Sequence, residues 1–362
     1  MMGDPVMHKT IAASICCLAL GLLPLIARAH HSFAVNFIID GSAEIQGVVR
    51  DIRIRNPHSI LELDVTADNG TTERWVVETH AIPLLLRVGI DQSTFTEGEA
   101  LTVRGMPSRV SGRKLIFGVE FEKPDGTLYS WRPDTLVPAG GLSTAAENST
   151  RSGLDRFAAV WGYEADPNPH IDAQSPLPLN AAGLNARSNF DPFNTSAMQC
   201  IPPNLPGILY VPYLYGISLE DNAIRLHHEY FSVVRSIPLT GEVVQVEPSA
   251  MFGQASARVD GDSIVIRSSG FPDLEAGMAT AFDPNGVGAD VPSSNRKVFT
   301  ERYSVSEDGQ TLTVDYKIED PTYLAAVYDG RTQWSRLADD TSIVSFECDP
   351  AIASQSSQQA GP

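Results

Sequence analysis

Apolar and polar residues alternate along residues 44–54, again along 59–65 and again along 74–78, the period-two pattern of half-buried strands. Asp68-Asn69-Gly70 separates the second run from the third and reads as a hairpin turn, because asparagine and glycine tolerate positive φ. Residues 81–89 then switch to a helical pattern, with Pro83 in the first turn and Gly89 as the stop. Two further strands follow at 100–105 and 114–121, and Pro124-Asp125-Gly126 turns the chain into Thr127-Leu128-Tyr129. Three strands, a helix and two strands is the element order of an OB-type barrel.

The pattern breaks at residue 133. As far as residue 196 the chain is rich in Pro, Gly, Ser, Asn and Ala, which reads as a long linker, with one short helix expected at 153–161. Strand patterns resume between Cys200 and Cys348, with candidates at 207–212, 223–228, 232–237, 241–246, 263–267, 297–305, 311–318, 323–327 and 342–346. Hairpins are expected at Asp260-Gly261-Asp262 and at Glu307-Asp308-Gly309-Gln310. The fold class is therefore mainly β, a small OB-like barrel followed by a second antiparallel barrel or sandwich; the pattern does not choose between those two. The expected division is a signal peptide at 1–29, the OB-like domain at 30–132, the linker at 133–196, the second β domain at 197–350 and a polar, disordered tail at 351–362.

The signal peptide is read from Lys9, the apolar run 11–26 and the small-x-small triplet Ala27-Arg28-Ala29. Cleavage there makes His30 the first residue of a periplasmic or secreted protein. The apolar run falls short of the roughly 20 residues of a membrane span, so no membrane span is expected. Cys16 and Cys17 would leave with the signal, and Cys200 with Cys348 would form a disulfide in an oxidising compartment, two buried thiols being the alternative. The chain carries 44 acidic against 26 basic side chains, a formal net charge of -18. That balance, with no basic cluster, argues against a nucleic-acid partner.

Candidate chemistry centres on histidines. A free His30 offers its α-amine and imidazole, His31 adds another ring, and His58 and His80 fall at the ends of strands in the first barrel. A nitrogen-rich site of this kind suits copper or zinc. The structural alternative makes His58 a turn residue, His80 a helix cap and His30-His31 a frayed terminus. In the second domain Glu229 shares strand parity with Arg235 if no turn intervenes, which would aim an acid and a base into the barrel for a small ligand or as a brace. Glu301 and Glu319 add carboxylates that could serve as a paired acid and base. No nucleophile elbow, phosphate loop or dinucleotide fingerprint occurs in the sequence.

Several of these marks together resemble a family of exported bacterial proteins of unassigned function that open Ala-His-His-Ser-Phe after the signal. They are Ala29-His30-His31-Ser32-Phe33, Gly47-Val48-Val49, Asn56-Pro57-His58-Ser59, the strand at 75–78 and Pro124-Asp125-Gly126. The second half is similar through Cys200-Ile201-Pro202-Pro203, the Glu229 to Arg235 spacing, Gly261-Asp262, Glu301-Arg302-Tyr303, Glu319-Asp320-Pro321 and Glu347-Cys348-Asp349. A tryptophan that such relatives favour before the Gly-Asp hairpin is Val259 here. The resemblance implies an exported two-part protein and no particular reaction. Three functions stay open: a binding protein with a metal at its histidines and a small ligand in the second domain, an enzyme using that metal or the carboxylates, and an envelope-protein interaction module.

Overall fold

A computed structural model describes residues 36–38, 40–131, 142, 151–163, 177–190, 199–246, 249–274, 277–278 and 290–350. The first unit is a closed five-stranded barrel. Strand β1 (Ala43–Arg53) pairs with β4 (Ala100–Pro107) along its first half and with β2 (Ser59–Thr66) along its second. Strand β3 (Thr72–Thr79) continues from β2, β5 (Leu115–Glu122) pairs with β4, and a parallel contact between β3 and β5 closes the ring. The short β6 (Leu128–Ser130) lies on the free side of β5.

One strand can serve both neighbours because β1 is kinked. Its register shifts between Val49 and Asp51, and the inward positions change from Ile45 and Val49 to Ile52, as a bulge requires. A second close approach depends on Gly105, where a Cβ would meet the Phe117 carbonyl oxygen at 1.8 Å. An apolar cluster fills the interior, with Leu61, Leu63, Val77, Val103, Ile116 and Phe121 among its buried side chains. Helix α1 (Ile82–Arg87) bridges β3 and β4 and buries Leu84 and Leu85. Every strand of this barrel expected from alternation is present, as are the hairpin at Gly70 and the proline-started helix.

The second unit is one antiparallel ten-stranded sheet curled into a nearly closed barrel. Its strands are β7 (Ala159–Tyr163), β8 (Tyr215–Glu220), β9 (Ala223–His228), β10 (Val233–Pro238), β11 (Val244–Gln245), β12 (Gln254–Asp260), β13 (Ser263–Ser269), β14 (Val298–Val305), β15 (Thr311–Glu319) and β16 (Tyr328–Arg336). Their spatial order is β10-β9-β8-β7-β16-β15-β14-β13-β12-β11, and a bridge between Thr240 and Arg258 draws the two edges together. Large inward side chains fill it, including Trp161, Trp334, Tyr215, Tyr303 and Tyr316. Gly330 lies opposite Tyr316, and a Cβ there would meet the tyrosine ring at 2.1 Å.

Several expectations for this half are corrected. Residues 153–161 do not form a helix: a 3-10 turn at Gly153–Arg156 leads into β7, which sits between β8 and β16 in the sheet. The span expected to be a linker therefore supplies a strand, and also helix α2 (Ala181–Ser188), capped by the Asn180 side chain on the N–H groups of Ala182 and Gly183. Five residues set among turn formers are too few to show a period. Gly207–Tyr210 is a 3-10 turn, residues 323–327 form a loop before β16, and residues 342–346 are not paired into a sheet. The tail from residue 351 and the start as far as residue 35 lie outside the described residues.

The two barrels meet through the start of α1. Ala81 and Leu84 of the first pack with Tyr213 and Phe346 of the second, with Trp131 against the same cluster. Arg87 forms an ion pair with Glu229 and donates to the Pro212 carbonyl at 3.2 Å. The Asn56 amide donates to the Glu347 carbonyl at 2.8 Å and its oxygen accepts from Ile82 N at 2.9 Å. The neighbouring Cys348 is bonded to Cys200, with Cα atoms 5.7 Å apart, so the disulfide fastens the strand-free segment that touches the first barrel.

Candidate functional site

The rim of the first barrel beside this interface collects its chemistry. In the β2–β3 register Ser59 faces Thr79, and Ser59 N donates to the His80 carbonyl at 3.2 Å, which brings His58 and His80 to one end of the hairpin. The Nδ1 of His58 contacts the carboxylate of Glu78, a side chain almost completely buried on β3. A buried carboxylate on one imidazole nitrogen fixes the ring and its tautomer, the arrangement common behind metal-binding histidines.

His80 stands in a different setting. Its ring lies against Trp131, with centroids 3.7 Å apart, and edge-on to Phe117 at 4.8 Å. Burial, with the nearby His58 adding, holds its imidazole down at about 3. The ring is therefore neutral throughout the physiological range and keeps a lone pair. Its Nε2 is shielded from solvent and has no hydrogen-bond partner, and the same is true of Trp131 Nε1. Among the described residues no group of three or more His, Cys, Asp or Glu side chains is arranged to hold an ion. His30 and His31 lie outside the described residues.

In the second barrel the expected residues separate. Glu229 does not face Arg235, because a turn with Phe231 and Ser232 at positive φ intervenes between β9 and β10. Its carboxylate is instead taken by Arg87, by Leu214 N at 3.1 Å and by Val344 N at 3.1 Å. Glu319 is exposed at the end of β15, pointing away from the barrel interior. Arg235 pairs with Glu301 through two hydrogen bonds of 3.1 and 2.6 Å, with both side chains fully buried. Burial opposes the Arg235 charge, and the charge and hydrogen bonds of Glu301 outweigh it and keep the guanidinium protonated. Tyr303 donates to the same carboxylate at 2.6 Å and meets the Tyr215 hydroxyl at 2.8 Å. The cluster cancels its own charge and leaves only Arg235 Nε and His228 Nε2 without partners, the latter on a ring stacked on Tyr215 at 4.3 Å. The three carboxylates considered for paired acid–base work are thus an interface anchor, a barrel brace and a surface group.

Sequence reasoning did not single out Glu78, Trp131 or Lys297. Glu78 and His80 are two residues apart at the end of a strand, a spacing that does signal a shared face. Lys297 is completely buried, donates to the Leu205 carbonyl at 2.9 Å and to Ser293 Oγ at 3.1 Å, and lies over Phe271. Burial brings its ammonium down to about 7, with Asp320 and Asp290 opposing the shift.

A model described as "Family of unknown function (DUF6152)" matches residues 19–116. The matched span contains His30, His31, His58 and His80 and ends at the start of β5, so it bears on the first barrel only. No curated protein and no solved structure matches the chain. No helix among the described residues is long and apolar enough to cross a membrane.

Proposed function

We propose that this is an exported binding protein whose first barrel holds one copper or zinc ion at its rim, through the imidazoles of His58 and His80 and the N-terminal nitrogens of His30 and His31. The observation that carries the reading is the pairing of two differently prepared histidines at one hairpin end. His58 is oriented by the buried Glu78, and His80 is neutral with an unbonded Nε2. Imidazole donors suit copper and zinc, and a neutral ring needs no deprotonation before it binds either. Two imidazoles alone make a weak site, so the reading needs the chain start to complete it.

The test uses protein beginning at His30, dialysed against buffered Cu(II) and, separately, Zn(II), with metal per chain determined by mass spectrometry. One ion per chain is expected, with affinity at least about tenfold lower in His58→Ala and in His80→Ala. Unchanged affinity in both variants, or no ion in the parent protein, overturns the reading.

A further inference from the structure

On the outer face of the second barrel, remote in sequence from the histidine rim, a groove of about 500 Å³ runs where β7 begins beside β8 and β9. Its floor is made of small groups, Ala158, Val160, Gly216 and Ser218. Register sets Ser218 opposite Arg225 and Gly216 opposite His227, so one wall carries a guanidinium and an imidazole two residues apart on one strand face. Gly216 has no side chain because Ile343 packs onto it: a Cβ there would meet Ile343 Cδ1 at 2.7 Å, so the floor beside His227 is closed by an apolar side chain.

The other wall is an ion pair at the surface. Arg151 donates from one nitrogen to both oxygens of Asp339 at 2.8 Å and from another to the Ala158 carbonyl at 3.2 Å. That pair cancels its own charge. Arg225 makes no ion pair among the described residues, and Glu220, which accepts from Ser218, is not part of the lining. Burial, with Arg225 adding, keeps the His227 imidazole below its usual range. The groove therefore offers one uncompensated positive charge, set in a strongly acidic chain.

We propose that this groove binds a small organic monocarboxylate, its carboxylate on the Arg225 guanidinium with His227 hydrogen-bonding beside it, and its body over the Ala158–Val160–Gly216 floor. A planar two-oxygen anion matches the guanidinium fork, a volume of this size suits a small ligand, and a second anionic group would face Asp339. The site is independent of the metal reading and stands or falls separately.

The full chain is titrated with benzoate, with butyrate and with the uncharged isostere benzamide, followed by calorimetry and by amide NMR shifts. At least one carboxylate is expected to bind saturably, with benzamide weaker by about tenfold or more. Arg225→Ala is expected to lower carboxylate affinity by a similar factor while leaving the thermal midpoint unchanged, because Arg225 is exposed and makes no ion pair among the described residues. The absence of saturable binding by either carboxylate, or equal affinity in Arg225→Ala, overturns the proposal.

Discussion

The two barrels put their buried polar groups in different places. The first has an apolar cluster at its centre and gathers Glu78, His58 and His80 at its rim, beside the second unit. The second carries an arginine, a glutamate and a pair of hydroxyl-bonded tyrosines in its very centre. Inside a barrel a charge needs a counter-charge or a set of hydrogen-bond acceptors supplied with it, and Arg235 with Glu301 is a self-contained pair. At the rim, His80 keeps a shielded Nε2 that no group of the fold satisfies. Burial alone therefore does not mark a site. The difference between a group that the fold already satisfies and one that it leaves open is the better guide.

The sharpest way to break this contrast is to remove one half of the central pair. Glu301→Leu leaves the Arg235 guanidinium buried without a counter-charge and is expected to cost about 3–5 kcal/mol in urea unfolding. Replacing both residues with apolar ones should recover most of that loss. If Glu301→Leu unfolds at the same urea concentration as the parent, the pair is not the brace described above.

An effect of similar total size, but spread over several pH units, comes from Lys297, at the end of the same barrel. Its folded value of about 7 lies below the ordinary lysine value of 10.5, so between these limits the unfolded chain binds more protons than the folded one. Stability should therefore rise with pH from about 7 towards 10.5, by at most about 1.4 kcal/mol per pH unit from this group, and the full penalty should be present below 7. In Lys297→Met that increment should vanish from unfolding free energies measured at neutral and alkaline pH. An equal slope in both proteins would mean that the ammonium is solvated in the native state.

The first barrel was legible almost entirely in the sequence, since β1, β2 and β3 show an alternating pattern, β4 and β5 are short, mostly apolar runs, and turn residues such as Gly70, Gly89 and Gly126 separate the elements. The second was read as antiparallel β, while barrel against sandwich stayed open. Strand β16 escaped notice because its inward residues include Gly330, Thr332 and Arg336, and a buried arginine that stacks over Trp161 at 4.4 Å breaks the apolar period. The Glu229–Arg235 parity failed for a local reason, a tight turn with two left-handed residues that the composition Tyr-Phe-Ser does not announce. His58 and His80 were recognisable as strand-end positions, but Glu78 behind His58 and the wall of Arg151 with Asp339, 188 residues apart, depend on tertiary contacts. Only the fold brings such partners together.

The most direct measurement of the central claim is pulsed electron paramagnetic resonance on the Cu(II)-loaded protein beginning at His30, which counts the imidazoles bound to the ion. The count is expected to fall by one in His58→Ala and by one in His80→Ala. The same count in the parent and in both variants would contradict a metal held at the rim of the first barrel.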